Sequence, residues 1–230
     1  MDHIFSEGRN TSTKYVAFFD LDRTLIGEIS GNAIVWMAWK KGLISWSYLV
    51  RAFYLYLLFK LRLRDPLNII DNMVGWVKGM SETEIEDLCL HVFREVLFPS
   101  VFREALTEIN THKENNAKVV ILSSALDSIC SAMSESFGMD GYICSALEAK
   151  EGYLTGKALG KLCYGEEKLH RLTGYCAANN LNQSVLWYYT DSISDLPVLS
   201  SVGNPVCVNP DRELKKEAIK RGWKILFWKN

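Results

Sequence analysis

The chain has 230 residues, of which 48% are hydrophobic and 23% charged, with 7 Trp, 10 Tyr and 10 Phe. That is enough for one large domain with a full core, and it is too apolar for a disordered chain. Lys and Arg number 26 against 27 Asp and Glu, a net charge of −1, so there is no basic surplus of the kind nucleic-acid binding requires.

Residues 1–14 are polar and carry no apolar signal core, so the expected compartment is the cytoplasm. Residues 15–19, YVAFF, read as a strand buried on both faces. The run stops at Asp20-Leu21-Asp22-Arg23-Thr24. From about 28 to 115 the signals are helical only. Residues 42–64 are strongly apolar, but Arg51 and Lys60 interrupt them. They predict a buried or membrane-leaning helix rather than a span, which needs about 20 uninterrupted apolar residues. Ser81 and Glu84 form a capping box. Helical spacing follows through Val96, and Pro99 is expected to end it.

The second half alternates. Residues 118–122, KVVIL, read as a buried strand followed by Ser123 and Ser124, then a helix stopped by Gly138. Short strands are expected over 141–155 around Lys150-Glu151-Gly152. A third buried strand spans 184–189, SVLWYY, and ends in Thr190-Asp191. Last strands are expected at Pro205 to Val208 and Lys224 to Trp228, with a helix at 211–221 between them. This alternation predicts an α/β fold with a doubly wound, mostly parallel Rossmann-like sheet. The expected domains are a discontinuous core, 1–27 plus 116–230, and an inserted all-helical cap, 28–115. The six cysteines, at 89, 130, 144, 163, 176 and 207, show no CxxC pair. They are read as reduced core residues rather than zinc ligands or a disulfide frame.

Polar residues collect where these strands end, the edge at which open α/β sheets bind ligands. Asp20 and Asp22 follow the first strand, Ser123 the second, and Asp191 and Asp195 the third. Clustered carboxylates repel unless a cation joins them, and hard oxygen donors select Mg²⁺. Lys168 offers charge to a phosphate. Ser123 offers a hydroxyl, and Ser124-Ala125 is read as opening a helix whose amides hold an anion. Together these residues suggest phosphoryl transfer by a carboxylate nucleophile.

The set resembles the haloacid dehalogenase superfamily of phosphohydrolases. The resemblance is carried by DLDRT at 20–24, the apolar strand into Ser123, Lys168 after Gly165-Glu166-Glu167, and TDSISDLP at 190–197. The helical insertion after the first motif is similar to the phosphoserine-phosphatase-like branch, subfamily IB. The resemblance implies Asp20 as nucleophile and Asp22 as general acid and base. It implies Mg²⁺ on Asp20, Asp22 and Asp191 with Asp195 in support, and phosphate held by Ser123, Ser124, Thr24 and Lys168. In phosphoserine phosphatases a glutamate lies nine residues after the nucleophile. Here that position is Ile29, with Glu28 beside it, so Glu28 and, in the apolar stretch, Arg51 are the candidates for substrate specificity. The expected function is a Mg²⁺-dependent phosphomonoesterase acting on a small phosphorylated metabolite. Two alternatives are a lipid-phosphate phosphatase at the membrane surface, akin to phosphatidylglycerophosphatases, and a phospho-accepting signalling module. Oligomeric state is left open.

Overall fold

The computed structural model of the protein describes residues 15–48, 50, 54 and 74–229. Its centre is a six-stranded, all-parallel sheet in the order β3-β2-β1-β6-β7-β8. The strands are β1 (Val16–Phe19), β2 (Lys118–Leu126), β3 (Gly141–Ser145), β6 (Trp187–Thr190), β7 (Asn204–Val208) and β8 (Lys224–Leu226). Between β3 and β6 lies a separate antiparallel hairpin, β4 (Leu147–Lys150) and β5 (Tyr153–Ala158). Its turn residues Glu151 and Gly152 both have positive φ, +52° and +81°, the geometry a two-residue hairpin turn requires.

Side chains alternate across a strand, and β1 shows both faces at work. Ala17 and Phe19 join one core with Val119, Ile121 and Tyr189. Three helices of that layer are α1 (Ser30–Lys40), α2 (Glu82–Val92) and α3 (Arg103–Glu114), and a fourth is α4 (Asp127–Ser136). Val16 and Phe18 join the other core with Val120, Leu122 and Tyr188. It is covered by α5 (Glu166–Ala178), α6 (Leu196–Ser201) and α7 (Arg212–Arg221). Burial on both faces explains why these strands read as continuous apolar runs.

The structure departs from the sequence reading in five places. The helical run expected through Val96 leaves α-geometry at Phe93. It continues as a π turn, Phe93–Leu97, and a 3-10 turn, Phe98–Ser100, that contains Pro99. A proline ring clashes with the carbonyl four residues earlier, so regular helix cannot run into it. The strand expected from Ser184 begins only at Trp187, because residues 183–185 form a 3-10 turn whose Ser184 amide donates to the Asn182 side chain. The strand expected at 118–122 runs on to Leu126, with a register irregularity against β3 between Leu122 and Leu126. Consequently no helix opens at Ser124-Ala125; α4 starts at Asp127. Finally, α3, which falls inside the insertion as read from sequence, docks on the sheet. Its His112 shares hydrogen bonds with Tyr15 (3.0 Å) and with Tyr189 of β6 (2.8 Å).

All six cysteines are free. Among the described residues no helix is long and apolar enough to cross a membrane. Arg51 and most of the apolar stretch around it lie outside the described residues.

Candidate active site

Parallel strands put all their carboxyl ends at one edge. Phe19 pairs with Tyr189, and the Asp20 amide donates to the Tyr189 carbonyl at 2.9 Å. Asp20 and Asp191 therefore leave adjacent strands at nearly the same height. Asp20 is buried; its Oδ1 accepts from the Leu21 amide (2.8 Å) and pairs with Lys168 Nζ (3.1 Å). Its carboxylate also takes a hydrogen bond from buried Ser123.

Lys168 reaches this point because Gly165 turns the chain just before α5. Gly165 has φ +54° and ψ −122°, a conformation that suits glycine alone. The ammonium lies 2.8 Å from Asp195 Oδ2 and 3.1 Å from the Tyr188 hydroxyl. Tyr188 and Thr190 donate to the same Asp195 oxygen, each at 2.7 Å. Asp195 Oδ2 thus gathers three donors, whereas its Oδ1 is buried with no hydrogen-bond partner.

Burial pulls the Lys168 pKa down, but the charges of Asp195 and then Asp20 outweigh it and hold the ammonium well above its ordinary range. The Asp20 carboxyl is raised: burial lifts it more than the Lys168 charge lowers it, and Asp195 adds to the lift. Asp191 is pushed up to about 8, by burial first and then by the charges of Asp20 and Asp195. Asp22 is pushed up to about 6 by burial, against the opposing hydrogen bonds from Ser30. Those bonds come from the Ser30 amide (2.9 Å) and hydroxyl (3.1 Å) at the first turn of α1. They fix the Asp22 carboxylate at the start of α1, where the charges of Asp20 and Lys168 still act on it in opposite directions. Arg23, between Asp22 and Thr24, sits at φ +58°, so the backbone turns directly after the second aspartate of the motif.

The other expected site residues fall into place unevenly. Thr24 is buried, but its hydroxyl has no hydrogen-bond partner. Ser124 is exposed, pointing to the opposite side of β2 from buried Ser123. Glu28 is exposed, and its main-chain carbonyl accepts from the Arg23 amide at 3.3 Å. Arg51 lies outside the described residues. Three participants escaped the sequence reading. Tyr188 was absorbed into an apolar strand, Thr190 was taken only as a strand end, and Ser30 lies in the segment read only as helical. An apolar run gives no sign of where a tyrosine hydroxyl points. Ser30 is the first residue inside α1, whose cap position is Ile29 with no side-chain cap bond, so no capping signal marks it.

Among the described residues no three His, Cys, Asp or Glu side chains form a ready-made metal cage. The residues nevertheless suit Mg²⁺, which takes one or two carboxylates and keeps several waters. Every donor at this edge is a hard oxygen. The carboxylates raise one another in the absence of a cation, and Asp195 keeps one buried oxygen unpaired.

The model of the haloacid dehalogenase-like hydrolase family matches residues 17–200, from β1 through α6. The chain belongs to the haloacid dehalogenase-like hydrolases. The matched span holds every site residue named above that is described. A probable phosphatase of Mycobacterium tuberculosis is 29% identical over 223 residues, covering 95% of this chain and 77% of the relative. A histidinol-phosphatase of Neisseria meningitidis is 29% identical over 230 residues, covering 94% of this chain and all of the relative. A phosphoserine phosphatase solved as an analogue of its phospho-aspartyl intermediate superposes with a TM-score of 0.71 at 16% identity, covering 95% of each chain. At that identity the likeness is one of fold, and the fold is that of the phosphoserine-phosphatase-like hydrolases.

Proposed function

We propose that this hydrolase is a Mg²⁺-dependent phosphomonoesterase that works through an aspartyl-phosphate on Asp20. The observation that carries the reading is the convergence of Asp20, Ser123, Lys168 and Asp195 at one buried sheet edge, with Asp191 beside them. Three carboxylates (Asp20, Asp191 and Asp195) against one ammonium (Lys168) leave an excess of negative charge that one divalent cation would balance. Asp20, the main-chain carbonyl of Asp22 and Asp191 would hold Mg²⁺, with Asp195 in support. When bound, the ion would offset the charge on the carboxylates and polarise a phosphate oxygen.

The steps belong to the protein's side chains. Lys168, 3.1 Å from Asp20, and Ser123 would hold the phosphoryl oxygens and draw the ester toward the nucleophile. An Asp20 oxygen attacks phosphorus, and the bond from phosphorus to the alcohol oxygen breaks. Asp22 gives its proton to that oxygen, so the alcohol departs neutral. Asp22, now a carboxylate, takes a proton from water as the water oxygen attacks the aspartyl-phosphate. Inorganic phosphate leaves and Asp20 is restored. A pKa pushed up to about 6 suits a group that must be acid in one step and base in the next. The Ser30 bonds and the Lys168 charge both favour ionised Asp22, but burial outweighs them and leaves the carboxyl raised.

The substrate class we infer is a small phosphorylated metabolite, admitted beneath a cap formed by the insertion. We place the end of that cap near residue 101, because α3 docks on the sheet. The relatives act, by name, on histidinol phosphate and phosphoserine. Ile29 in place of a glutamate leaves no carboxylate at that position to meet a substrate amine, so histidinol phosphate and lipid phosphates belong beside phosphoserine in any screen. The test is Asp20→Asn assayed on a generic phosphoester with Mg²⁺. Turnover should fall by at least about 10³-fold with unchanged circular dichroism. A variant that retains activity removes Asp20 as nucleophile.

A further inference from the structure

The first helix after the catalytic loop does something unusual with its aromatic residues. α1 buries Ala33, Ile34, Met37 and Ala38 against the core, which turns Trp36 outward, 48% exposed. Trp39 packs between Trp36 (4.8 Å between ring centroids) and Trp46 (5.9 Å). Trp46 is 66% exposed, and Leu43, Val50 and Tyr54 beside it in sequence are exposed as well. Three of the chain's seven indoles therefore form one continuous surface ridge. Scattered exposed apolar residues need no explanation, but contiguous ones mark an interaction surface.

Charge narrows the choice of partner. Residues 29–48 contain two cations, Lys40 and Lys41, and no Asp or Glu. The chain as a whole has a net charge of −1, so the rest of it is net acidic. The ridge itself carries Lys40, whose Nζ lies 5.6 Å above the Trp36 ring, and Lys41 next to it. Indoles with lysines at their edges are the composition of an element that lies in the headgroup layer, rings among the acyl chains and ammonium groups among phosphates. A second copy of this chain is a poorer fit, because a two-fold contact would set like charge against like.

We propose that the Trp36–Trp39–Trp46 ridge docks the protein onto an anionic lipid surface. Docking at this ridge does not depend on the phosphatase reading, since none of its residues belongs to the catalytic cluster. The test is co-sedimentation of the full chain with vesicles of phosphatidylcholine alone and of phosphatidylcholine with one-quarter phosphatidylglycerol. The wild type should pellet with the anionic vesicles at 0.05 M salt, and its partitioning should fall about tenfold at 0.5 M, where the Debye length is a few ångströms. It should stay in solution with the neutral vesicles. The variants Trp36→Ser/Trp46→Ser and Lys40→Glu/Lys41→Glu should each lose about tenfold in partitioning. Both change exposed positions, and unchanged melting and turnover of a soluble phosphoester would show that the fold is intact. The proposal is overturned if the wild type stays in solution with anionic vesicles, if it pellets equally with neutral ones, or if either variant pellets like the wild type. It is also overturned if the wild type is a dimer that the tryptophan variant dissociates, because the ridge then belongs to a second copy.

Discussion

Asp191 carries the conflict between stability and chemistry at its sharpest. It is held beside Asp20 and Asp195 in a desolvated place that favours its neutral form. Asp191→Asn keeps the shape and removes a charge. In metal-free protein it should raise the melting temperature by a few degrees, the response to about 1 kcal/mol in a domain of this size. It should also abolish the stabilisation that Mg²⁺ gives the wild type. Differential scanning calorimetry with and without Mg²⁺ reads both effects, and an unchanged Mg²⁺ response in the variant would remove Asp191 from the ion. Most of this site was visible in the sequence, because Asp20, Asp22, Ser123, Lys168, Asp191 and Asp195 each follow a recognisable strand or turn. The second layer was not. Tyr188, which donates to Asp195, hides within an apolar strand. Ser124, expected beside Ser123 as a phosphate ligand at a helix start, is carried instead to the opposite side of β2, because the strand continues past both.

Elements were legible where burial dictates the pattern and less so where a local bond overrides it. β1, α2 with its Ser81 capping box, the β4–β5 turn and α7 stand close to where spacing puts them. The start of β6 does not, because the turn at 183–185 packs against Gly203 so closely that an added Cβ would lie 1.7 Å from the Ser184 carbonyl oxygen. No sequence period reports such an approach. Gly203→Ala must push the turn from β7 and should cost about 3 kcal/mol or more, measured as a drop in the denaturation midpoint. Near wild-type stability would contradict the packing described here.

A second element-scale test concerns the bond chain that ties α3 to the sheet. Tyr189 donates its proton to Glu108 (3.1 Å), so it accepts from His112 Nε2, and Nδ1 accepts from Tyr15. Burial lowers the His112 pKa, aided by Lys224 and opposed by Glu108. The folded protein therefore binds this proton less tightly than the unfolded chain. The stability His112 contributes is complete above about pH 6.5 and declines as pH falls below that value. His112→Gln should flatten the decline in melting temperature between pH 7 and 5. An equally steep decline would place the acid sensitivity elsewhere.

At the scale of the molecule, six parallel strands bring acids separated by some 170 residues of sequence to one edge, and two buried cores hold that edge rigid. The layer arrangement could be read from the alternation of strands and helices. The attachment of α3 could not, since an amphipathic helix fits a cap as well as a sheet. The central claim is that this edge makes one carboxylate a transient phosphate carrier. Rapid acid quenching of enzyme mixed with a turned-over phosphoester and Mg²⁺, followed by peptide mass spectrometry, tests it most directly. The account predicts an acid-stable, hydroxylamine-labile phosphoryl group on Asp20 that appears before inorganic phosphate accumulates and is absent from Asp20→Asn. Turnover with no phosphorylated enzyme, or with the phosphoryl group on another residue, would contradict it.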